Sequence, residues 1–529
     1  MAQHNTLLRT LQRRPQISLV KGGHTFLTGA IWLMKQCLAP HDEFKVTLCH
    51  CGCESDPHVL RLWRQVHPFF ITDQIFLMKR DLALQDESGD SPVDEIRRGW
   101  HGVSRHSMKL HFGISLLGLT LLLPILGDVA VGQTVKDLYN FQDLFDGAYP
   151  IGDLVLDQMG NLYGVTRRGP YCNGFCPDEG TVFRLHYDRK TGVWHQKLLY
   201  EFTGRADGGE PYAGVTFDQQ GNLYGTTTIA GNALGNVFKL SPVTGKNRWN
   251  EQVLFTFASA SGYFPTAGVV LDATGNVYGT TNQGGDLTCD AQHGCGTVFK
   301  LTPQPGGGWT ETTLYTFHGR YDGHSPYASV ILDANGNVFG TTEFGGDLTC
   351  NVYGSFGRGC GVVFELSESG GVWKEKVLHT FKGLDGAFPE TRLLVGSDGI
   401  LYGTTGGGGN GNLPANGGLG TVFALTPLNG GWKEAVLYKF TGGADGAFPV
   451  YSDLISDTSG NLYGTTYLDS VFELVKIPSG GWNNRVLVPA SGNGAVEGGL
   501  VLDGQGNLYG SVNCCANQSI YGYIFEVTP

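Results

Sequence analysis

The sequence predicts an all-β chain: a seven-bladed β-propeller of four-stranded antiparallel blades, closed by the N-terminal strand completing the last blade. Three observations predict it. The signature D-x-x-G-N-L-Y-G recurs seven times with small changes. Two further blocks follow it in the same order. The two ends of the repeat array complement one another. A recurring unit of this length that cannot bury both faces must stack on its neighbours.

The first block runs from Asp157 to Gly164, Asp218 to Gly225, Asp272 to Gly279, Asp333 to Gly340, Asp457 to Gly464 and Asp503 to Gly510. A degenerate copy covers Gly396 to Gly403. Between positions equivalent to the signature Asn the spacings are 61, 54, 61, 63, 61 and 46 residues. The second block, G-T-V-F-x-L, surrounds Phe183, Phe238, Phe299, Phe364, Phe423, Phe472 and Phe525. The third is a Trp opening an apolar strand that ends in Phe, as in Trp249 to Phe257 and Trp432 to Phe440. A D-G-x-x-P turn then leads into the next copy.

Four strands per unit follow from short runs rich in Val, Thr, Tyr and Phe, bounded by Gly, Pro, Asn or Asp. In the second unit they are expected at residues 213–218, 222–228, 235–241 and 251–257. The Asp-x-x-Gly-Asn link fits a tight hairpin, with Asp bonding local amides and Gly taking φ > 0. The last unit stops after its third strand, at residues 521–527, and its missing outer strand is found at residues 135–141, which match residues 436–440. Closure of this kind removes the exposed sheet edges of an open solenoid.

Composition agrees. With 41% hydrophobic and 16% charged residues the chain is too apolar for disorder, and its 81 glycines lack a three-residue period, which excludes collagen. A net charge of −12 leaves no surplus of Lys and Arg for phosphates, so no nucleic-acid partner is expected.

Residues 1–107 differ from the rest, holding 8 of the 15 histidines and no sustained period. Met108 opens a signal-peptide layout: Lys109, an apolar run from Phe112 to Leu126, and small residues ending at Gly132. The run is short for a membrane span. The expected organisation is a non-native or disordered extension over 1–107, a signal peptide over 108–132 and the propeller over 133–529, with translation starting at Met108. Cys49, His50, Cys51 and Cys53 lack a second ligand pair at zinc-finger distance, so no metal site is read there.

The N-L-Y-G-T-T, G-T-V-F-x-L-T-P and G-G-W-x-E-x-V-L-Y-x-F blocks resemble the GloVer tandem repeat over roughly residues 135–529. That repeat occurs in exported and surface-associated bacterial proteins, some joined to autotransporter or sorting anchors. The resemblance implies export and a repeat-built β architecture, and it carries no catalytic residue set. Pro529 follows directly on the last strand, so no C-terminal anchor is expected. The hairpin block is also similar, more weakly, to NHL-type propellers.

Eight cysteines lie in the repeats as close pairs: Cys172 with Cys176, Cys289 with Cys295, Cys350 with Cys360, and Cys514 with Cys515. Each pair falls between the second and third strands of its blade. An even count in close pairs after a signal peptide predicts loop-stapling disulfides in an oxidising compartment.

The loops between second and third strands vary most and share a face with the D-G-x-x-P turns, so binding is expected on that face. The turn aspartates offer weak Ca²⁺ candidates, Asp207, Asp322 and Asp445, against a plain turn role; otherwise no cofactor is expected. Four residues before the hairpin Asp, the innermost strands carry Gly214, Gly268, Ser329 and Gly499, but Asp153, Arg392 and Asp453 in blades 1, 5 and 6 break that pattern. With Glu390, Tyr451 and Glu497 nearby in sequence, they form the candidate ligand site at the mouth of the channel. Asp153, Arg392 and Asp453 are also the catalytic candidates should the chain cleave a polysaccharide; the bland alternative is an Arg392–Asp453 ion pair filling the channel. Other chemistry finds no support: no G-x-S-x-G elbow is present, and Gly406–Gly409 lacks the Lys-Ser/Thr of a phosphate loop. The expected function is a secreted or cell-surface, monomeric, non-enzymatic module binding a polysaccharide or surface protein. The alternatives are a polysaccharide hydrolase or lyase and a structural envelope protein.

Overall fold

The computed structural model describes residues 134–142, 145–169, 179–230, 234–246, 248–290, 293–350, 352, 358–409, 417–491, 494–515 and 521–528. The extension over 1–107, the segment from Met108 to Gly132 and the Cys172/Cys176 pair lie outside these residues, as do the side chains of Cys514 and Cys515.

Seven four-stranded antiparallel sheets form the blades. The second is typical, with strands Thr216–Phe217, Leu223–Thr227, Asn236–Pro242 and Trp249–Thr256 from the inside outwards. The last blade is completed from the other end of the chain. Its outer strand is Thr134–Asn140, paired antiparallel with Tyr523–Thr528, Val135 opposite Val527. The expected ring closure is therefore present.

Six of the seven hairpins are held by their own signature aspartate, the fifth having Gly396 in its place. Asp218 Oδ1 accepts from the amides of Gln220 and Asn222, both at 2.9 Å, and Oδ2 accepts from the Asn222 amide group and the Tyr224 hydroxyl. Gly221 at φ +81° supplies the left-handed residue the turn needs.

Packing explains the two most repeated residues. The Gly of N-L-Y-G lies opposite the Phe of G-T-V-F, as Gly225 does Phe238. A Cβ on Gly225 would stand 2.6 Å from the Phe238 ring, so the glycine is the seat of the ring. That ring also meets, edge to face, the terminal Phe of the preceding blade's outer strand. Phe202 with Phe238, Phe257 with Phe299, Phe317 with Phe364, Phe381 with Phe423, and Phe440 with Phe472 have centroids 5.0–5.2 Å apart. Phe141 makes the same contact with Phe183, at 5.2 Å, across the closure.

The innermost strands are shorter than the sequence pattern implies: Thr216–Phe217 replaces the expected 213–218. Their leading halves are bonded to the neighbouring blade instead. The first Thr of N-L-Y-G-T-T donates to an inner-strand carbonyl one blade on: Thr226 to Ala267 at 2.8 Å, Thr280 to Ala328 at 3.0 Å, and Thr404 to Pro449 at 2.8 Å.

Because Phe141 is wholly buried in this ring contact, Phe141→Ala is expected to cost about 3–5 kcal/mol, as much as Phe440→Ala. Denaturant unfolding of the two variants checks this; a near-zero effect of Phe141→Ala would mean that the N-terminal strand is peripheral to the fold.

Candidate functional site

Side chains on the innermost strands line the channel at alternate positions. The residue after the turn proline gives an upper tier, including Tyr212, Tyr327 and Glu390, with Glu497 at the same offset from its hairpin Asp. Two residues further on, a middle tier holds Asp153, Arg392 and Asp453 among glycines and Ser329. Apolar residues such as Val155, Val270 and Ile455 follow below. Together these tiers bound a cavity of about 280 Å³.

The structure brings all six predicted ligand residues, Asp153, Glu390, Arg392, Tyr451, Asp453 and Glu497, to this one cavity. Arg392 Nε lies 2.8 Å from Asp453 Oδ2, and Arg392 Nη2 lies 3.6 Å from Asp153 Oδ2. Each aspartate also caps the equivalent backbone amide of the preceding blade. Arg392 N donates to Asp453 Oδ1 at 2.7 Å, and Gly499 N to Asp153 Oδ1 at 2.6 Å. Gly499 must be small here, since a Cβ would stand 2.5 Å from Asp153 Oδ1. The ion pair expected as a channel filler thus exists, yet the Arg392 side chain keeps 36% of its surface open to the cavity.

Burial and the adjacent Asp453 carboxylate hold Asp153 well above the usual carboxylate range, with Arg392 opposing the shift. Both carboxylates are engaged by the Arg392 guanidinium and by a backbone amide, so the pair clamps Arg392.

Tyr451 is a departure that the sequence displays. The turn proline and the hairpin Asp are separated by seven positions in blades 1–4 (Pro211 to Asp218), but by eight in blade 6 (Pro449 to Asp457). The extra residue is absorbed in a bend with Tyr451 at φ +57°, a backbone state uncommon for tyrosine. Its ring meets that of Tyr327, two blades away, with centroids 5.1 Å apart. Tyr327 is a residue that the sequence reading missed. Its signal was the fixed offset from Pro326, which also marks Tyr212 and Glu390.

The 2–3 loops and the turns share a face, as expected: the turn residue Phe264 donates its amide to the loop carbonyl of Leu234 at 3.1 Å, and Phe388 to that of Cys360 at 3.0 Å. Disulfides join Cys289 to Cys295 and Cys350 to Cys360 on this face. The weak Ca²⁺ candidates are engaged in turn bonding. Asp207, Asp322 and Asp445 accept from the hydroxyls of Tyr200, Tyr315 and Tyr438 at 2.9–3.1 Å, and from the backbone amides of Thr203, His318 and Thr441. Beside two of them stands a half-buried glutamate that the sequence did not single out. Burial and Asp207 push the Glu251 carboxyl up to about 7, and burial and Asp322 do the same to Glu375.

The Gloeobacter/Verrucomicrobia repeat model matches residues 128–291, 286–474 and 349–529. No curated protein matches the chain. Among solved structures, a candidate 6-phosphogluconolactonase from Bacteroides uniformis aligns at 14% identity and TM-score 0.43, covering 68% of this chain and 93% of that one. A polysaccharide lyase described as a PL25 ulvan lyase aligns at 10% identity and TM-score 0.46, covering 73% and 95%. Likenesses this distant carry no argument about activity.

Glu251 and Glu375 carry the pH prediction. A carboxyl raised from 4.5 to about 7 in the folded state contributes stability that is present below the unfolded value and lost as pH rises through about 7. Glu251→Gln and Glu375→Gln should each raise the unfolding free energy at pH 8 by about 1 kcal/mol, after discounting for partial exposure, and leave it nearly unchanged at pH 4. Denaturant titrations at the two pH values test this, and equal effects at both would contradict it.

Proposed function

We propose that the chain, which belongs to the Gloeobacter/Verrucomicrobia repeat family, is a non-enzymatic binding module that takes a neutral, hydroxyl-rich ligand, the end of a glycan chain, into the channel mouth. The observation that carries this reading is Tyr451. A residue inserted into the repeat and held in a left-handed conformation is brought against Tyr327 above the open edge of Arg392. Strain of that kind needs a reason beyond the repeat, which five other blades build without it.

The chemistry narrows the ligand class. Asp153, Asp453, Glu390 and Glu497 outnumber Arg392, the one base among the predicted site residues. An anionic sugar would meet repulsion there, whereas hydroxyl groups find acceptors and Arg392 as donor. The partly exposed Tyr451 ring, backed by the buried Tyr327, offers a face for sugar C–H groups. A cavity of about 280 Å³ sits at the small end of ligand pockets, suited to one sugar or two. The commitment of Asp153 and Asp453 to Arg392 and to backbone amides speaks against a hydrolase acting through those residues.

Export belongs to the same proposal. The segment Met108–Gly132 would direct it, and the disulfides Cys289–Cys295 and Cys350–Cys360 fit an oxidising exterior. Among the described residues no helix is long and apolar enough to cross a membrane. The partner would be an extracellular polysaccharide.

A screen of the full chain on neutral, acidic and amino glycans tests the reading. Saturable binding to neutral glycans is expected, weakened about tenfold by Tyr451→Ala or by deleting Tyr451, which restores the repeat spacing. Binding only to acidic glycans, or none at all, would overturn the proposal; the search would then move to a surface protein or an envelope role.

A further inference from the structure

At five blade junctions, an outer-strand residue, the turn Asp and an outer-strand residue of the next blade meet near the rim. Four junctions use tyrosine first: Tyr139, Tyr200, Tyr315 and Tyr438, each donating to its Asp. The junction between blades 4 and 5 departs from this. There His379 replaces tyrosine, Asp385 is the turn residue and Glu434 comes from the strand Gly431–Lys439.

His379 Nε2 lies 3.0 Å from Asp385 Oδ2, and ligand atoms of His379, Asp385 and Glu434 all lie within 4.8 Å of one another. Glu434 Oε1 is inaccessible to solvent and has no hydrogen-bond partner. His379 and Asp385 keep 19% and 21% of their side-chain surface open, so water and an ion can enter. Lys439, the neighbouring cation, is held elsewhere, its ammonium donating to the Leu384 carbonyl at 3.2 Å.

We infer that His379, Asp385 and Glu434 form a divalent transition-metal site, of Zn²⁺ type, clipping blade 4 to blade 5. The substitution changes the chemistry at this junction alone. A tyrosine hydroxyl donates a hydrogen bond and keeps its proton, whereas a neutral imidazole presents a nitrogen lone pair. One imidazole and two carboxylates make a borderline N,O donor set. Such a set suits Zn²⁺ and its first-row neighbours, while Ca²⁺ prefers six to eight oxygens. Water would fill the remaining positions. The other convergent His/Cys/Asp/Glu group among the described residues is Cys289, Cys295 and His324, and its sulfurs are already joined to each other.

The test uses two substitutions that the repeat itself supplies. His379→Tyr installs the residue of four other junctions, and Glu434→Gln installs the residue found at Gln196, so both are compatible with the fold. The oxidised full chain, freed of metal with chelator, is titrated calorimetrically with Zn²⁺ and, separately, with Ca²⁺. Because histidines elsewhere in the chain also bind metal, the difference between proteins is the readout. The wild type is expected to take roughly one more equivalent of Zn²⁺ than His379→Tyr. Glu434→Gln should weaken that same equivalent at least tenfold, and Zn²⁺ should raise the unfolding temperature of the wild type alone. Equal Zn²⁺ stoichiometry and affinity in the wild type and His379→Tyr would overturn the site, as would Ca²⁺ binding there as tightly as Zn²⁺.

Discussion

The contact on which the structure depends is a phenylalanine ring seated on a glycine and clamped by a second phenylalanine from the blade before. Edge-to-face aromatic pairs add roughly 0.5–1.5 kcal/mol beyond the area they bury, and this one recurs around the ring. It ties three sequence blocks together, because N-L-Y-G supplies the seat, G-T-V-F the ring, and the Trp-led strand the clamp. Its appearance between Phe141 and Phe183 gives the closing strand the same hold as any internal junction. At the junction of blades 6 and 7, Ala490 stands in the clamp position, and there Phe525 lacks an aromatic partner from the neighbouring blade. Ala490 instead donates its amide to the Ala444 carbonyl, at 3.0 Å.

A ring locked at that radius fixes how closely the inner strands approach. Gly214 shows the limit, since a Cβ there would stand 2.0 Å from the Asp153 carbonyl oxygen. At five junctions a threonine then binds the inner strand to the blade before it, helping to hold side chains at constant offsets around the channel. Any residue that differs at one of those offsets is delivered to the same cavity as the others. Function is therefore sought in departures from the repeat: Asp153, Arg392 and Asp453 in the middle tier, the inserted Tyr451 above them, and His379 at the rim. The uniform residues build the frame that places them.

Much of this was legible in the sequence. The hairpin Asp is an internal ruler, and counting back four residues from it located the three charged residues that meet in the channel. The closing strand was visible because residues 135–141 repeat the pattern of residues 436–440. Other features were hidden by partners on neighbouring blades. Inner-strand lengths depend on threonine bonds across blades, such as Thr226 to the Ala267 carbonyl, which no local pattern encodes. Glu251, Glu375 and Glu434 read as the polar face of an alternating strand, and only the turn Asp of the junction reveals their burial. Tyr327 went unnoticed because its stacking partner, Tyr451, is aligned with it only through an insertion.

The measurement that tests the account most directly is a diffraction map of the chain crystallised with the neutral oligosaccharide it binds most tightly. The account predicts density for a sugar ring at Tyr451, with hydroxyls toward Arg392, Glu390 and Glu497. Sugar density confined to the outer loops, with the channel mouth holding solvent alone, would contradict it.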